Sequence, residues 1–224
     1  LLRAWGANAV FGGYQRPDFI EAAHAVGLQV YAEFGVFIHE HWWNEVPGSR
    51  PITAEGIPLP PEDWYYGVNP AHPVVRRRQL NALEAFLSQH PVDGVWLDFI
   101  RWPCHWESPA PNLPQTSFDA LTLERFRADA GIAVPTEEPV TAAEQILTHH
   151  RKEWTAWRCE QITAWVAAAS DVVARIRPTA ILGLFGIPWR RTDFDGAILN
   201  VIGQDYAALG AHVDVISPMV YHVM

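Results

Sequence analysis

The sequence contains almost no lysine: Lys152 is the only one among 16 basic residues, which are outnumbered by 25 acidic residues. The resulting net charge of −9 argues against nucleic acid or an anionic membrane surface as the main partner, because both carry negative charge. Apolar runs long enough to cross a bilayer are also missing, so we predict no transmembrane helix. The two cysteines, Cys104 and Cys159, are too few for a disulfide framework, and the sequence leaves open whether they pair.

No signal peptide is visible, and the chain begins at Leu1 rather than at a methionine. We therefore expect a trimmed chain or a piece of a longer protein, in which any export signal would lie upstream of Leu1. A secreted or cell-envelope location thus stays open. The length of 224 residues and the hydrophobic fraction of 49% fit one large domain, residues 1–224, with a sizeable core.

Alternating helices and strands are predicted along the whole chain. Apolar, β-branched strands are expected at 8–11, 28–34, 92–98, 179–187 and 213–217, and helical spacing covers 18–26, 73–89, 118–129 and most of 142–176. Such strands, separated by helices, indicate a parallel α/β fold, either a barrel or a doubly wound sheet. No glycine-rich phosphate loop follows a strand, which weighs against a nucleotide-binding sheet.

The most informative stretch is residues 92–103, VDGVWLDFIRWP. It begins as a buried strand and then presents a carboxylate, a guanidinium and an indole in close succession, at Asp98, Arg101 and Trp102. In parallel α/β barrels the active site lies at this end of the strands. A carboxylate beside an aromatic surface suits sugar chemistry, because carboxyl groups act on glycosidic oxygens and indole faces stack on sugar rings. The alternative is that Asp98 only caps the next turn or pairs with Arg101.

Eleven tryptophans are more than packing usually requires. Six of them stand in polar or proline-rich stretches: Trp42, Trp43, Trp64, Trp102, Trp106 and Trp189. A buried indole needs a large slot and a partner for its N–H group, so clusters in loops favour a binding groove. The alternative is that these aromatics fold back over the core. Residues 39–69 form a long loop that carries several of them, and loops of this length are usually functional or disordered.

Several stretches resemble a family of bacterial glycoside-hydrolase-like TIM-barrel proteins, within the broad superfamily of α-amylase-like glycosidase barrels. Residues 93–103, DGVWLDFIRWP, are similar to its DGIHLDYIRYP strand pattern. Residues 22–31, AAHAVGLQVY, resemble its EAHKRGLEVHAW passage, and residues 126–132, FRADAGI, resemble its F-x-x-x-T-G-I insertion. Residues 213–221, VDVISPMVY, are similar to its VDYISPMVY strand. These matches span most of the chain in the family's order.

The resemblance implies an α/β fold of the TIM (β/α)8-barrel type. The five strands would be the second to the sixth of the barrel, with incomplete termini and a loop and helical insertion at about 104–150. The resemblance also implies that the strand-end aspartate, Asp98, is the nucleophile. A more distant resemblance to the chitinase-type DGIDLDWEYP strand does not include its proton donor, because Ile100 takes the place of that glutamate. Chitinase-type substrate-assisted catalysis is therefore not expected.

Glycoside hydrolysis normally needs two carboxyl groups that face each other across the scissile bond. Asp98 is the first candidate, and Glu33, near the end of its own strand, should reach the same barrel mouth. The alternative for Glu33 is a buried acid paired with a histidine or with Arg101. Five loop acids are weaker candidates, for which a solvated acid or a helix cap is the simpler interpretation: Asp63, Glu107, Asp193, Asp195 and Asp205. A strand outside this chain can also supply the partner.

Seven residues are predicted to bind the substrate: His39, Trp42, Arg101, Trp102, Trp189, Tyr221 and His222. Arg101 can lower the pKa of Asp98 and hold it ionised, or it can bind an acidic sugar. Tyr221 and His222 follow the last strand and can donate hydrogen bonds to sugar hydroxyls. His39 and His41 flank Glu40, but they have poor zinc geometry without a third ligand. We therefore predict neither a metal nor a cofactor.

The sequence thus predicts a glycoside hydrolase with a carbohydrate substrate, an oligo- or polysaccharide. The first alternative is a carbohydrate-binding pseudoenzyme whose barrel mouth lacks a complete acid pair. A second carboxylate about 5–10 Å from Asp98 would distinguish the enzyme from the binder. The second alternative is a metal-dependent deacetylase or amidohydrolase, which needs a cluster of histidines and aspartates at the strand ends. The sequence places such residues there only singly.

Overall fold

The computed structural model describes residues 1–12, 16–107 and 110–220. Its strands are β1 (Ala9–Gly12), β2 (Gln29–Gly35), β3 (Gly94–Asp98), β4 (Ile181–Gly186) and β5 (Val215–Pro218). Its α-helices are α1 (Pro17–Ala25), α2 (Glu40–Glu45), α3 (Pro73–Gln89), α4 (Ala120–Ala130), α5 (Pro139–His149), α6 (Arg151–Ile176), α7 (Ala197–Asn200) and α8 (Tyr206–Leu209). Two 3-10 helices cover Arg3–Trp5 and Asp193–Gly196.

The five strands form one parallel sheet in the order in which they occur in the chain. A doubly wound sheet reverses its strand order at a switch point, whereas successive neighbours throughout are the arrangement of a barrel wall. The sheet is curled into a half-barrel with helices between its strands. The expected fold class, a partial TIM-type barrel, is therefore confirmed.

Local sequence signals explain where the longer helices begin and end. α3 begins with Pro73, whose fixed φ suits the first helical position, and its apolar face buries Val75, Leu83 and Leu87. α4 begins after Asp119, whose side chain accepts a hydrogen bond from the Thr122 N–H group, and it ends at Gly131 in the left-handed conformation. The predicted helix at 142–176 is two helices, because the chain departs from helical geometry at His150.

The main core lies between the outer face of the sheet and the surrounding helices. Alternate strand residues such as Val30, Leu97 and Leu184 point outward into this core and are fully or almost fully buried. A second, smaller cluster lies at the C-terminal end of β4 and includes Cys104, Trp106, Ile187, Ile198 and Ile202. Both cysteines are buried and free, so the open question about their pairing is answered.

The inner, concave face of the half-barrel carries the other half of the strand residues. Phe11, Tyr31 and Trp96 form a three-ring cluster with centroid distances of 4.7–5.1 Å. The indole N–H of Trp96 donates to Ser217 Oγ across the concave face, at 2.9 Å. Gly183 makes room for this indole, since a Cβ atom there would lie 2.2 Å from the ring. Glu33 and Asp98 follow Tyr31 and Trp96 by two residues, so they extend the same face toward the carboxyl ends of the strands.

Candidate active site

Two acidic side chains meet at the carboxyl end of the sheet. In the parallel register, Glu33 pairs with Trp96 and Gly35 pairs with Asp98, so neighbouring strands bring both acids to one end of the concave face. The two carboxyl groups are close enough for each to change the pKa of the other. Two negative charges at such a short range repel each other, so ionisation of Asp98 favours the protonated form of Glu33. We refer to them below as the carboxyl pair.

The backbone after β3 holds Asp98 in place. Phe99 adopts a positive φ of 51°, which is uncommon for an aromatic residue, and its N–H group donates to Asp98 Oδ1 at 2.7 Å. The carbonyl oxygens of Asp98 and Phe99 accept hydrogen bonds from Val36 and Phe37, the residues that follow β2. Backbone conformations of this kind are concentrated at functional sites, where the surrounding structure enforces them.

The surroundings raise the pKa of both carboxyl groups. For Glu33 the largest cause is burial, and the charge of Asp98 and the hydrogen bond to it act in the same direction. For Asp98 burial is again the largest cause, and it outweighs the Phe99 N–H group and the Arg101 charge, which both lower the pKa. The predicted effect of Arg101 on Asp98 is therefore present, but the net shift of the Asp98 pKa is upward. A raised pKa favours the protonated form of each carboxyl group toward neutral pH.

Arg101 is buried next to the carboxyl pair. Its Nη2 atom lies 3.3 Å from Glu107 Oε1, and its guanidinium carbon lies 4.8 Å from the ring centroid of Phe99 and 5.4 Å from that of Tyr65. Burial alone would lower the pKa of Arg101, but the neighbouring Tyr65, Cys104, Glu107 and Asp98 raise it overall. Arg101 therefore stays charged and interacts with carboxylates on both sides.

A loop cluster of polar residues extends from Arg101 toward the surface. Glu107 accepts a hydrogen bond from the Trp106 N–H group at 3.0 Å, and its Oε2 atom lies 4.0 Å from His105 Nδ1. His105 Nε2 in turn lies 3.3 Å from Glu62 Oε2. Glu107, one of the weaker candidates, is thus held near Asp98 by the shared neighbour Arg101. Asp193 and Asp205 have local roles, since they accept hydrogen bonds from the N–H groups of Arg190 and Ala207.

Of the predicted substrate-binding residues, Trp102 does not fit that role. It is fully buried, and its indole N–H donates to the carbonyl oxygen of Arg158 on α6 at 3.1 Å. The prediction for Trp102 is therefore wrong in this structure: the chain turns after Phe99 and carries the indole into the helical core. A side chain without exposed surface cannot contact a substrate. Tyr221 and His222 lie outside the described residues.

Three other predicted binding residues are half-buried: His39 and Trp42, at the beginning of α2 and on it, and Trp189, which follows β4. His39 stacks on Trp42 with a centroid distance of 3.9 Å and an interplanar angle of 1°. The Nδ1 atom of His39 also accepts a hydrogen bond from the Trp42 N–H group, which caps α2. Trp189 packs between Trp106 and Phe194, at centroid distances of 6.2 and 4.5 Å. These contacts join neither group to the carboxyl pair.

Some aromatic residues near the acids were not among the predicted binding residues. Tyr31 and Trp96 lie two residues before Glu33 and Asp98 on the same face, and Phe11 completes their cluster with 48% of its surface exposed. Trp64, on the long loop, is 66% exposed and makes an edge contact with Phe99 at 5.8 Å. The alternation of strand residues would have identified Tyr31 and Trp96. The position of Trp64 depends on a loop contact across 35 residues, which no local pattern reveals.

Within residues 1–12, 16–107 and 110–220, no three histidine, cysteine, aspartate or glutamate side chains come together as a metal site would require. None of the helices in these ranges combines the length and the apolar character that a bilayer crossing needs.

Comparisons with known proteins identify the fold. No model of a known protein family matches the chain, and no curated protein sequence matches it. Solved structures do: the PgaB (BpsB) glycoside hydrolase domain from Bordetella bronchiseptica has a TM-score of 0.62 at 14% identity, covering 88% of this chain and 52% of that one. The β-galactosidase from the psychrophilic Marinomonas ef1 has a TM-score of 0.65 at 13% identity, covering 98% and 37%.

A third similar structure is the catalytic domain of the β-amylase from Paenibacillus polymyxa. It has a TM-score of 0.64 at 11% identity, with 96% of this chain and 70% of that chain covered. This chain therefore spans about half of the PgaB chain and little more than a third of the galactosidase. Similarity at such low identity shows the fold, which this chain shares with glycoside hydrolases.

Proposed function

We propose that this protein is a glycoside hydrolase that cleaves glycosidic bonds of an oligo- or polysaccharide, with Asp98 and Glu33 as its catalytic residues. The observation that carries the proposal is the carboxyl pair at the carboxyl end of the concave face, where barrel enzymes carry out their chemistry. The similarity to glycoside hydrolase structures supports the same reaction class.

The geometry suggests different roles for the two acids. Catalytic carboxyl groups are about 5–5.5 Å apart in retaining and about 6.5–9.5 Å apart in inverting glycosidases. The Phe99 N–H group holds the Asp98 carboxylate in place, which suits a nucleophile or base. Glu33 is more exposed and its pKa is raised, which suits the acid that protonates the leaving oxygen.

The proposed reaction consumes one water molecule. The proton of Glu33 passes to the glycosidic oxygen as the bond from that oxygen to the anomeric carbon breaks. The Asp98 carboxylate either attacks the anomeric carbon and forms a glycosyl ester that water then hydrolyses, or it takes a proton from the water that attacks. In both cases water supplies the new hydroxyl group and returns a proton to the pair. Arg101, with its charge close to Asp98, stabilises the carboxylate form.

Substrate contacts are assigned to residues around the carboxyl pair. We keep His39, Trp42, Arg101, Trp189, Tyr221 and His222 as proposed binding residues, and we omit Trp102 because it is buried. We add Trp64, because it is exposed and touches Phe99, the residue that follows Asp98. Aromatic faces beside acids suit the stacking of sugar rings.

One observation favours a second candidate function, a carbohydrate-binding barrel without catalysis. The concave face carries the ring cluster of Phe11, Tyr31 and Trp96, and such rings can stack on sugar whether or not the acids react. If the acids do not react, Asp98 is a structural acid and the aromatic residues alone bind sugar. The two candidates differ in whether glycosidic bonds are broken.

The test is the release of reducing sugar from a broad panel of glycans by the full-length protein. Asp98→Asn should lower the rate by about 10²–10⁴-fold, the usual contribution of a catalytic acid or base. Glu33→Gln should lower it to a similar extent, whereas the control Glu21→Gln, an exposed acid on α1, should not change it. Glycan binding without any bond cleavage by the folded wild-type protein would instead establish the binding function.

A further inference from the structure

A groove of about 680 Å³ lies on the helical side of the half-barrel, apart from the carboxyl pair. It runs between the first half of α6 and the segment 191–208, which contains α7 and α8. These two helices have only four residues each, so they leave this flank of α6 partly uncovered. The volume is within the range of sites that hold small organic molecules, about 300–1,000 Å³.

The floor of the groove is one stripe of α6. Thr155, Ala156, Cys159 and Thr163 follow each other at helical spacing, and Leu199 of α7 faces them. Most of the exposed lining is carbon and sulfur. Thr163 is only 7% exposed, and its hydroxyl has no hydrogen-bond partner among the described residues. A buried hydroxyl without a partner is costly.

The rim of the groove carries positive charge, in contrast to the chain as a whole. Arg151, Lys152 and Arg191 line it, and none of the three forms an ion pair within the described ranges. Of the two acids at the groove, Asp205 already accepts the Ala207 N–H group and caps α8. The other, Glu160, lies near the buried Arg76 and offsets part of the fall in its pKa that burial causes. Arg151 donates to the carbonyl oxygen of Leu147, and within the described ranges neither acid forms an ion pair with any of the three cations.

The beginning of α6 adds to this positive field. The helix begins at Arg151 after His150, whose side chain provides no cap, so the N–H groups of the first turn have no side-chain partner from that residue. The aligned peptide dipoles of a 26-residue helix place partial positive charge at this end. The groove therefore combines an apolar floor, a free buried hydroxyl and cationic groups at one end.

We propose that this groove binds a small amphiphilic anion, a molecule with an alkyl or aryl body and one carboxylate or sulfonate group. The body lies along Ala156, Cys159 and Leu199, and the anionic group lies between Lys152 and Arg191. A smaller cavity, about 130 Å³ and lined by Trp189 and Tyr206, shares Arg191 and Leu199 with the groove and extends it. Neither acid of the carboxyl pair lines the groove, so binding of this anion does not depend on glycoside hydrolysis. The smaller cavity includes Trp189, which is also one of the proposed sugar-binding residues.

The test is the binding of three eight-carbon probes to the full-length protein, measured by isothermal titration calorimetry. Octanoate should bind at least tenfold more tightly than octanol and octyltrimethylammonium, because only octanoate can pair with the cations. Arg191→Gln should weaken octanoate at least fivefold and leave octanol unchanged. The matched control Arg190→Gln should change neither, since Arg190 is 86% exposed, pairs with Asp193 and does not line the groove.

A second variant locates the binding. Ala156→Trp places a large ring in the groove from an exposed helix position, so it should abolish octanoate binding without loss of the folded state. Thermal unfolding in parallel confirms that each variant is folded. The proposal is overturned if the three probes bind equally, if octanoate does not bind, or if folded Ala156→Trp and Arg191→Gln bind it as the wild type does. These binding measurements do not test the release of reducing sugar, so the two proposals can fail separately.

Discussion

Two buried arginines, Arg101 and Arg158, have different kinds of neighbour. Ionisable side chains surround Arg101, at the candidate active site, whereas Arg158 binds backbone carbonyl groups and has a structural role. Arg101 lies among Asp98, Glu107, Tyr65 and Cys104, and these neighbours raise its pKa in spite of burial. Arg158, on α6, is fully buried and donates to the carbonyl oxygens of Thr116 and Val201, the latter at 2.7 Å. Burial lowers the pKa of Arg158 to about 9.

The partners explain what each guanidinium does. The carbonyl groups of Thr116 and Val201 lie in irregular segments, and their hydrogen bonds with Arg158 join both segments to α6. The guanidinium carbon of Arg158 also lies 4.4 Å from the ring centroid of Trp102. Arg158 thus provides hydrogen-bond donors for buried carbonyl groups that lie outside helices and strands. Arg101 instead faces side chains that can gain or lose a proton. We therefore expect mutation of Arg158 to change stability and mutation of Arg101 to change the ionisation of the site.

The largest effect should come from Arg158→Met. Methionine fills much of the same volume but leaves two buried carbonyl groups without partners, at about 1–3 kcal/mol each, so we expect a loss of about 3 kcal/mol in the free energy of unfolding. Urea unfolding followed by circular dichroism measures it. Arg101→Met, the matched variant, should cost clearly less, because its carboxylate neighbour Glu107 is partly exposed to water. Equal losses would remove the distinction between the two arginines.

The next effect should be a change in the pH dependence of activity. Arg101→Gln removes a positive charge that lowers the pKa of Asp98, so that pKa should rise further. The limb of the kcat/KM profile that Asp98 controls should then move to higher pH, so the rate on the acid side of that limb should fall. Arg158→Gln should leave the profile in place. A shift in the Arg158 variant and none in the Arg101 variant would reverse our assignment.

Much of the region around Arg101 could be predicted from the sequence. Apolar, β-branched runs predicted the five strands, and the rule that strand ends share one edge of a parallel sheet placed Glu33 and Asp98 together. Helix α3 was predicted with its observed bounds, because proline at its first position and an apolar face agree. These successes rest on local patterns and on the fixed geometry of parallel strands.

The surroundings of Arg158 were not accessible in this way. Trp102 follows the strand end closely, yet the positive φ of Phe99 redirects the chain and Trp102 packs beneath α6. That contact joins residues 56 positions apart, and its direction depends on how α6 packs rather than on the sequence next to Trp102. Likewise, nothing local to Arg158 indicates that its partners are carbonyl groups of residues 116 and 201. Long-range packing decided these positions.

A smaller effect, on the free energy of unfolding, should come from Asp98→Asn, next to Arg101. Burial raises the pKa of Asp98 in the folded protein above its value of about 3.8 in the unfolded chain. Above that pH the ionised carboxylate therefore lowers the free energy of unfolding. Asp98→Asn keeps an acceptor for the Phe99 N–H group and removes that cost. We expect it to stabilise the protein at pH 7 by on the order of 1 kcal/mol, with the gain disappearing near pH 3.5. Urea unfolding at both pH values measures it; a variant less stable than wild type at pH 7 contradicts the idea.

The smallest effect should come from Trp64, at the exposed edge of the Arg101 region. If its ring stacks on the substrate, Trp64→Ala should raise KM several-fold, about 1 kcal/mol of binding, and leave kcat nearly unchanged. Stability should not change measurably, since 66% of the side chain is exposed. Trp5→Ala is the matched control, because Trp5 is also exposed, at 71%, and lies on the N-terminal 3-10 helix. A fall in kcat with constant KM would contradict this role. It would show that Trp64, through its contact with Phe99, positions Asp98 for the reaction rather than binding the substrate.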